Sequence, residues 1–245
     1  MLVVYLALIT LAEVLTTFSG LVGWGLAVHG VTLIALMLNI SAAPRGYEHR
    51  PLLTLCLAPL IRLLSLSMPL LKFAFVYWYM IIGAPLLLAA LLAAHLAGFT
   101  PNRIGLTFRH WPLQILIGLT GFGLGYLEYL ILRPAPLAAA FTLEQAALPA
   151  LILIVFTGFL EEFVFRSLMQ TAIVESIGRI GVFYVAVLFA VLHLGYQSPL
   201  DVLFVLAVGL FFGIIVHRTR SILGVTIAHS LTNIGLFLIF PFIVK

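Results

Sequence analysis

The stretch ILIVFTGFLEEFVFRSLMQ places Glu161, Glu162 and Arg166 in sequence that is otherwise almost wholly apolar. Glu162 and Arg166 are four residues apart, share one helix face and stand in the order that favours an ion pair, while Glu161 is turned about 100° away. One glutamate is thereby neutralised and the other left available as a base. A later apolar run supplies His193, with Phe189 one helical turn before it, and the last run supplies His229, with Asn233 one turn on. Two carboxylates, two imidazoles, an amide and a guanidinium brought face to face provide a base, hydrogen-bond donors and room for water.

Such residues need elements to hold them, and composition says which. Of 245 residues 64% are hydrophobic and 8% charged, against roughly 25% charged in a soluble domain, so a soluble fold is excluded. Apolar runs near 2–18, 20–40, 52–70, 72–97, 112–133, 147–174, 180–196, 199–217 and 221–243 have the length that a hydrocarbon layer about 30 Å thick selects. The expectation is an all-α polytopic membrane protein, a bundle of eight or nine transmembrane helices. Pro59 and Arg62 interrupt the third run, which makes eight the alternative. The runs are too long, and alternate too little, for barrel strands.

The N-terminal segment lacks a basic start and carries Glu13, and it reads as a retained helix rather than a signal peptide. Cys56, the single cysteine, has no partner for an intramolecular disulfide. The net charge of +4 is dispersed over short loops, which points to lipid headgroups rather than nucleic acid. With nine spans, Arg45, Arg50, Arg103, Arg109, Arg179, Arg218 and Arg220 share one side, with Arg133 and Lys245 opposite. The positive-inside rule then puts the N-terminus and the basic loops in the cytoplasm. The polar break at 98–111 divides the chain into an N-terminal region, 1–100, of unassigned role and a C-terminal core, 101–245.

A charge at mid-membrane costs on the order of 2.5–3.5 kcal/mol, so residues of this kind need a reason. At ~1.5 Å per residue Glu161 and His193 lie roughly 15 Å, and His229 about 10 Å, from the ends of their helices, so all three can meet inside the bilayer. Several chemistries are excluded. Asp201 is the only aspartate, so no aspartyl dyad exists, and there is no HExxH, GxSxG or GxxxxGK[ST].

EEFVFR (Glu161 to Arg166), FAVLH (Phe189 to His193) and HSLTN (His229 to Asn233) together resemble the motifs of the CPBP intramembrane proteases, which include type II CAAX prenyl endopeptidases and Abi-like immunity proteins. The resemblance covers about residues 101–240. It implies hydrolysis of a peptide bond in a membrane-associated or lipid-modified, for example prenylated, substrate, by water activated between Glu161 and His193. His229 and Asn233 would stabilise the oxyanion, and Glu162, Arg166 and Phe189 would support the site. No cofactor is required. A divalent metal such as zinc is an alternative, with His193, His229 and Glu161 as ligands, although Asn is an unusual neighbour for one.

The same six polar groups can instead pin helix packing, but they exceed what packing needs. Glu13 and Glu128 read as lone intramembrane acids that pin or snorkel, and Arg62, with Ser65 and Ser67, as an interfacial arginine or a headgroup cup. His29 and His95 read as packed or interfacial, and His49, His110 and His217 as loop-side. The run Phe73, Phe75, Tyr77, Trp78 and Tyr79 reads as a lipid-facing belt. Two rival functions stand beside the protease. One is a non-proteolytic scaffold, accessory subunit of a membrane complex or immunity protein. The other is a transporter using the same carboxylates, against which the sequence shows no inverted repeat.

Overall fold

The computed structural model describes residues 1–42, 49–67 and 74–244, so Arg45, Phe73 and Lys245 of the sequence reading lie outside the described residues. Among the described residues the chain is helical and has no strand. Helices α1 (Leu2–Thr17) and α2 (Val22–Ala42) turn back on each other at Gly20, whose φ of 68° suits a residue without a side chain. The third apolar run is broken at Cys56 into α3 (His49–Leu55) and α4 (Leu57–Leu66). Then follow α5 (Phe75–Leu96), α6 (Trp111–Leu132), α7 (Leu143–Ile177), α8 (Ile180–Val191), α9 (Pro199–Thr219) and α10 (Leu223–Ile243). Thr142 and Ser198 cap α7 and α9, their hydroxyls accepting from the amides of Gln145 and Asp201.

The protein is an integral, multi-pass membrane protein, and the count of spans needs adjusting. Seven helical stretches among the described residues are long and apolar enough to cross a membrane. The other two apolar helices, Leu2–Thr17 and Ile180–Tyr196, are shorter than the roughly 20 residues a full crossing takes. The expected eight or nine spans therefore correspond to seven full-length stretches and two short ones.

The loops gather at two ends. At one, Ile222 N donates to Gly105 O at 3.0 Å, Ser221 Oγ to Thr107 O at 2.8 Å and Arg103 Nε to Glu175 Oε1 at 2.8 Å. At the other, Gln197 Nε2 donates to Thr17 O at 3.3 Å, tying the α8–α9 turn to the α1–α2 turn. One core cluster joins the two halves of the chain: Tyr5 and Ile9 of α1 and Leu52 and Leu55 of α3 pack with Phe163 and Leu168 of α7 and Leu188 of α8. Helix α6 lies directly on α10. A Cβ on Gly121 would overlap the carbonyl oxygen of Ala228, and one on Gly125 that of Thr232. This is the close backbone approach that small residues permit between membrane helices.

Candidate active site

Helix α7 is not uniform where it carries the two glutamates. The turns Ile154–Phe159 and Phe163–Met169 are widened to π-helical geometry, with one ordinary turn, Leu160–Glu162, between them. A third widened turn, Gly235–Ile239, follows Asn233 in α10. Such turns rotate side chains out of α register and recur at functional sites.

Adjacent in sequence, Glu161 and Glu162 occupy different environments. The Glu162 side chain is 0% exposed, and its Oε1 accepts from His229 Nδ1 at 2.8 Å and lies 3.1 Å from Arg166 Nη1. The expected ion pair is therefore formed. The Glu161 side chain is 29% exposed, and its Oε2 lies 3.8 Å from His229 Nε2, short of hydrogen-bond contact. His229 thus stands between the two carboxylates, locked to one and facing the other. A carboxylate can only accept, so Nδ1 carries a proton and Nε2 is the nitrogen turned to the open space.

Phe189 binds these parts together. The Arg166 guanidinium sits 4.2 Å from its ring centroid, a cation–π contact, and the ring is 4.6 Å from that of His193 and 6.3 Å from that of His229. His193 follows the end of α8, where the chain turns into the short 3-10 segment Leu194–Tyr196. Its Nδ1 donates to Phe189 O at 2.8 Å, which leaves Nε2 of this neutral ring free to accept. Asn233 Nδ2 donates to Thr157 Oγ1 at 2.9 Å, and Thr157 Oγ1 donates to Leu153 O at 2.5 Å. One amide hydrogen of Asn233 remains.

Glu161, Phe189, His193, His229 and Asn233 line a single cavity of about 60 Å³. A water needs at least ~10–15 Å³ of such space, so the cavity admits water beside the carboxylate and both imidazoles. Glu162 and Arg166 stand behind its wall.

The cavity also takes in residues the sequence reading left out. Glu128 of α6, read as a lone acid, lines it, as do Thr157, Tyr79 and Tyr196. Thr157 precedes Glu161 by four residues, and that spacing was the available signal. Of the aromatic run read as a lipid-facing belt, Phe75 and Tyr77 are exposed, while Trp78 and Tyr79 line a larger groove beside the cavity. Nor is Glu13 alone. Fully buried, it accepts from His29 Nε2 at 3.0 Å and from Arg62 Nε at 2.5 Å, so neither His29 nor Arg62 is a mere interfacial residue.

Among the described residues no three His, Cys, Asp or Glu side chains converge as a metal-ligand set. The donors His193, His229 and Glu161 share the cavity without forming such a set.

Residues 143–235 match the family model for Rce1-like proteins, described as type II CAAX prenyl endopeptidase Rce1-like. This segment contains Glu161, Glu162, Arg166, Phe189, His193, His229 and Asn233, so the resemblance drawn from the motifs is upheld by the similarity of this segment to that family. Neither a curated protein nor a solved structure matches the chain.

Proposed function

We propose that this chain is an intramembrane endopeptidase that hydrolyses a peptide bond of a membrane-associated or lipid-modified substrate. The observation that carries the reading is the cavity in which Glu161, His193, His229 and Asn233 meet, backed by the Glu162–Arg166 pair.

In this reading a water lies between Glu161 and His193 Nε2. Its oxygen attacks the carbonyl carbon while Glu161 takes one proton and His193 accepts a hydrogen bond from the other. Negative charge develops on the carbonyl oxygen, which accepts from His229 Nε2–H and from the remaining N–H of Asn233. His229 then works as an imidazolium, and Glu161, Glu162, Arg166 and His229 together sum to no net charge, as a low-dielectric interior favours. Collapse breaks the C–N bond, and the proton on Glu161 passes to the leaving amine. Glu162 fixes the His229 ring, as a carboxylate orients a histidine in other hydrolytic sites. Arg166, Phe189 and Thr157 are positioning residues.

The test is to incubate the purified chain in lipid with prenylated and transmembrane peptides and read the products by mass spectrometry. The reading requires cleavage by the parent protein and its loss in a folded His193→Ala variant. Undiminished turnover in that variant would overturn it. A folded parent that cleaves nothing but holds a larger membrane assembly would instead favour the scaffold.

A further inference from the structure

Beside the cavity runs a groove of about 450 Å³ between α4 and α5 on one side and α7 and α8 on the other, reaching Glu161 and His193 at one end. Its walls are mostly apolar, among them Ile82, Leu86, Phe156 and Leu192. Among the described residues that line it, Arg62 is the only Lys or Arg side chain.

The guanidinium of Arg62 is held from behind. Its Nε donates to Glu13 Oε1 at 2.5 Å, and the same oxygen accepts from His29 Nε2 at 3.0 Å, with Glu13 and His29 both 0% exposed. Nη1 reaches Ser65 Oγ only at 3.4 Å, and Nη2 makes no hydrogen bond among the described residues. The turn after His193 passes across this edge: a Cβ on Gly195 would stand 3.8 Å from Nη2, in ordinary contact. A guanidinium anchored through Nε keeps its Nη1–Nη2 edge for a planar anion, which that edge grips in bidentate fashion.

Building on the endopeptidase reading, we infer that Arg62 is a specificity-determining residue that binds the free C-terminal carboxylate of the peptide substrate. The apolar side chains of the substrate lie along the groove, and its scissile bond reaches Glu161. Glu13 and His29 are positioning residues for Arg62. A peptide carboxylate suits the site better than a phospholipid headgroup. The Arg62 side chain is 14% exposed and tied to a fully buried acid, and its groove leads to the hydrolytic cavity. The N-terminal region thereby acquires a role that the family match at 143–235 does not cover.

The test separates binding from turnover. The full chain carrying Glu161→Gln, in phosphatidylcholine vesicles, is titrated with a fluorescent prenylated peptide as the free acid and as the C-terminal amide. The acid is expected to bind about tenfold or more tightly than the amide, the worth of a charge-assisted hydrogen-bond pair. That preference should fall to less than about threefold when Arg62→Gln is added and be intermediate with Arg62→Lys, which keeps the charge facing Glu13 but loses the fork. Equal binding of acid and amide, or a preference that survives Arg62→Gln, overturns the inference. So does loss of the preference on adding phosphatidylglycerol, which would make Arg62 a headgroup site. Turnover by the chain without Glu161→Gln is read separately. Cleavage without acid preference refutes the role of Arg62 alone, and absence of cleavage refutes the endopeptidase reading while the binding comparison still decides Arg62.

Discussion

Glu162 Oε1 accepts a hydrogen bond from His229 Nδ1 at 2.8 Å, joining α7 to α10 across 67 residues of sequence, while its neighbour Glu161 stays 3.8 Å from the other nitrogen of the same ring. One imidazole therefore reads the difference between two adjacent carboxylates. The account of the site rests on that asymmetry.

Removing the charge of Glu162 should cost stability as well as activity. Glu162→Gln leaves the Arg166 guanidinium, 1% exposed, without its counter-ion, and breaking one partner of a buried pair costs about 3–5 kcal/mol. The double change Glu162→Leu with Arg166→Met should regain most of the lost stability in thermal unfolding yet remain inactive, because His229 then lacks its orienting acceptor. Recovery of activity by the double variant would contradict the role given to Glu162.

Asn233 should matter to rate rather than to substrate binding. Loss of one oxyanion donor lowers kcat by about 10²–10³, so Asn233→Ala should show a fall of that order with KM little changed in steady-state cleavage. Thr157→Val, which removes the hydroxyl that accepts from Asn233 at 2.9 Å, should lower kcat less, by about tenfold on the scale of one mispositioned hydrogen bond.

The packing of α6 on α10 reaches the site through Ala228, the residue before His229. Because a Cβ on Gly121 would overlap the Ala228 carbonyl oxygen, Gly121→Ala forces the helices apart and should destabilise the protein by ~1–3 kcal/mol, as overpacking does. It should also slow cleavage by displacing His229. Gly123→Ala, where a Cβ meets nothing within 4 Å, should leave both the unfolding temperature and the rate unchanged.

Chelation should leave the rate unchanged, since the donors at the cavity do not form a ligand set. Assay with and without a divalent-metal chelator checks this. Loss of activity that zinc restores would point to a metal between His193, His229 and Glu161.

Much of the architecture is legible in the amino-acid pattern because a bilayer imposes one length on every crossing segment. The Glu162–Arg166 pair is legible for a similar reason, since both residues sit on one helix at fixed spacing. What escapes is contact between helices. Nothing in the sequence announces that Glu13 meets His29 and Arg62, 16 and 49 residues away, or that Glu128 turns into the cavity. Each looks solitary along the chain. The widened turns of α7 and α10 are equally hidden, because a π turn follows from tertiary packing and not from any local residue preference. The nine apolar runs are legible in the sequence, and two of them, Leu2–Thr17 and Ile180–Tyr196, form shorter helices than the other seven.

The most direct measurement compares the parent protein with Glu161→Gln in lipid vesicles, following cleavage of one accepted peptide by mass spectrometry and folding by thermal unfolding. Glu161 is partly exposed and has no hydrogen-bonded partner among the described residues, so the isosteric change should leave the unfolding temperature nearly unchanged while lowering kcat by about 10²–10⁴, the usual contribution of a general base. A folded Glu161→Gln variant that cleaves at the parent rate would contradict the account.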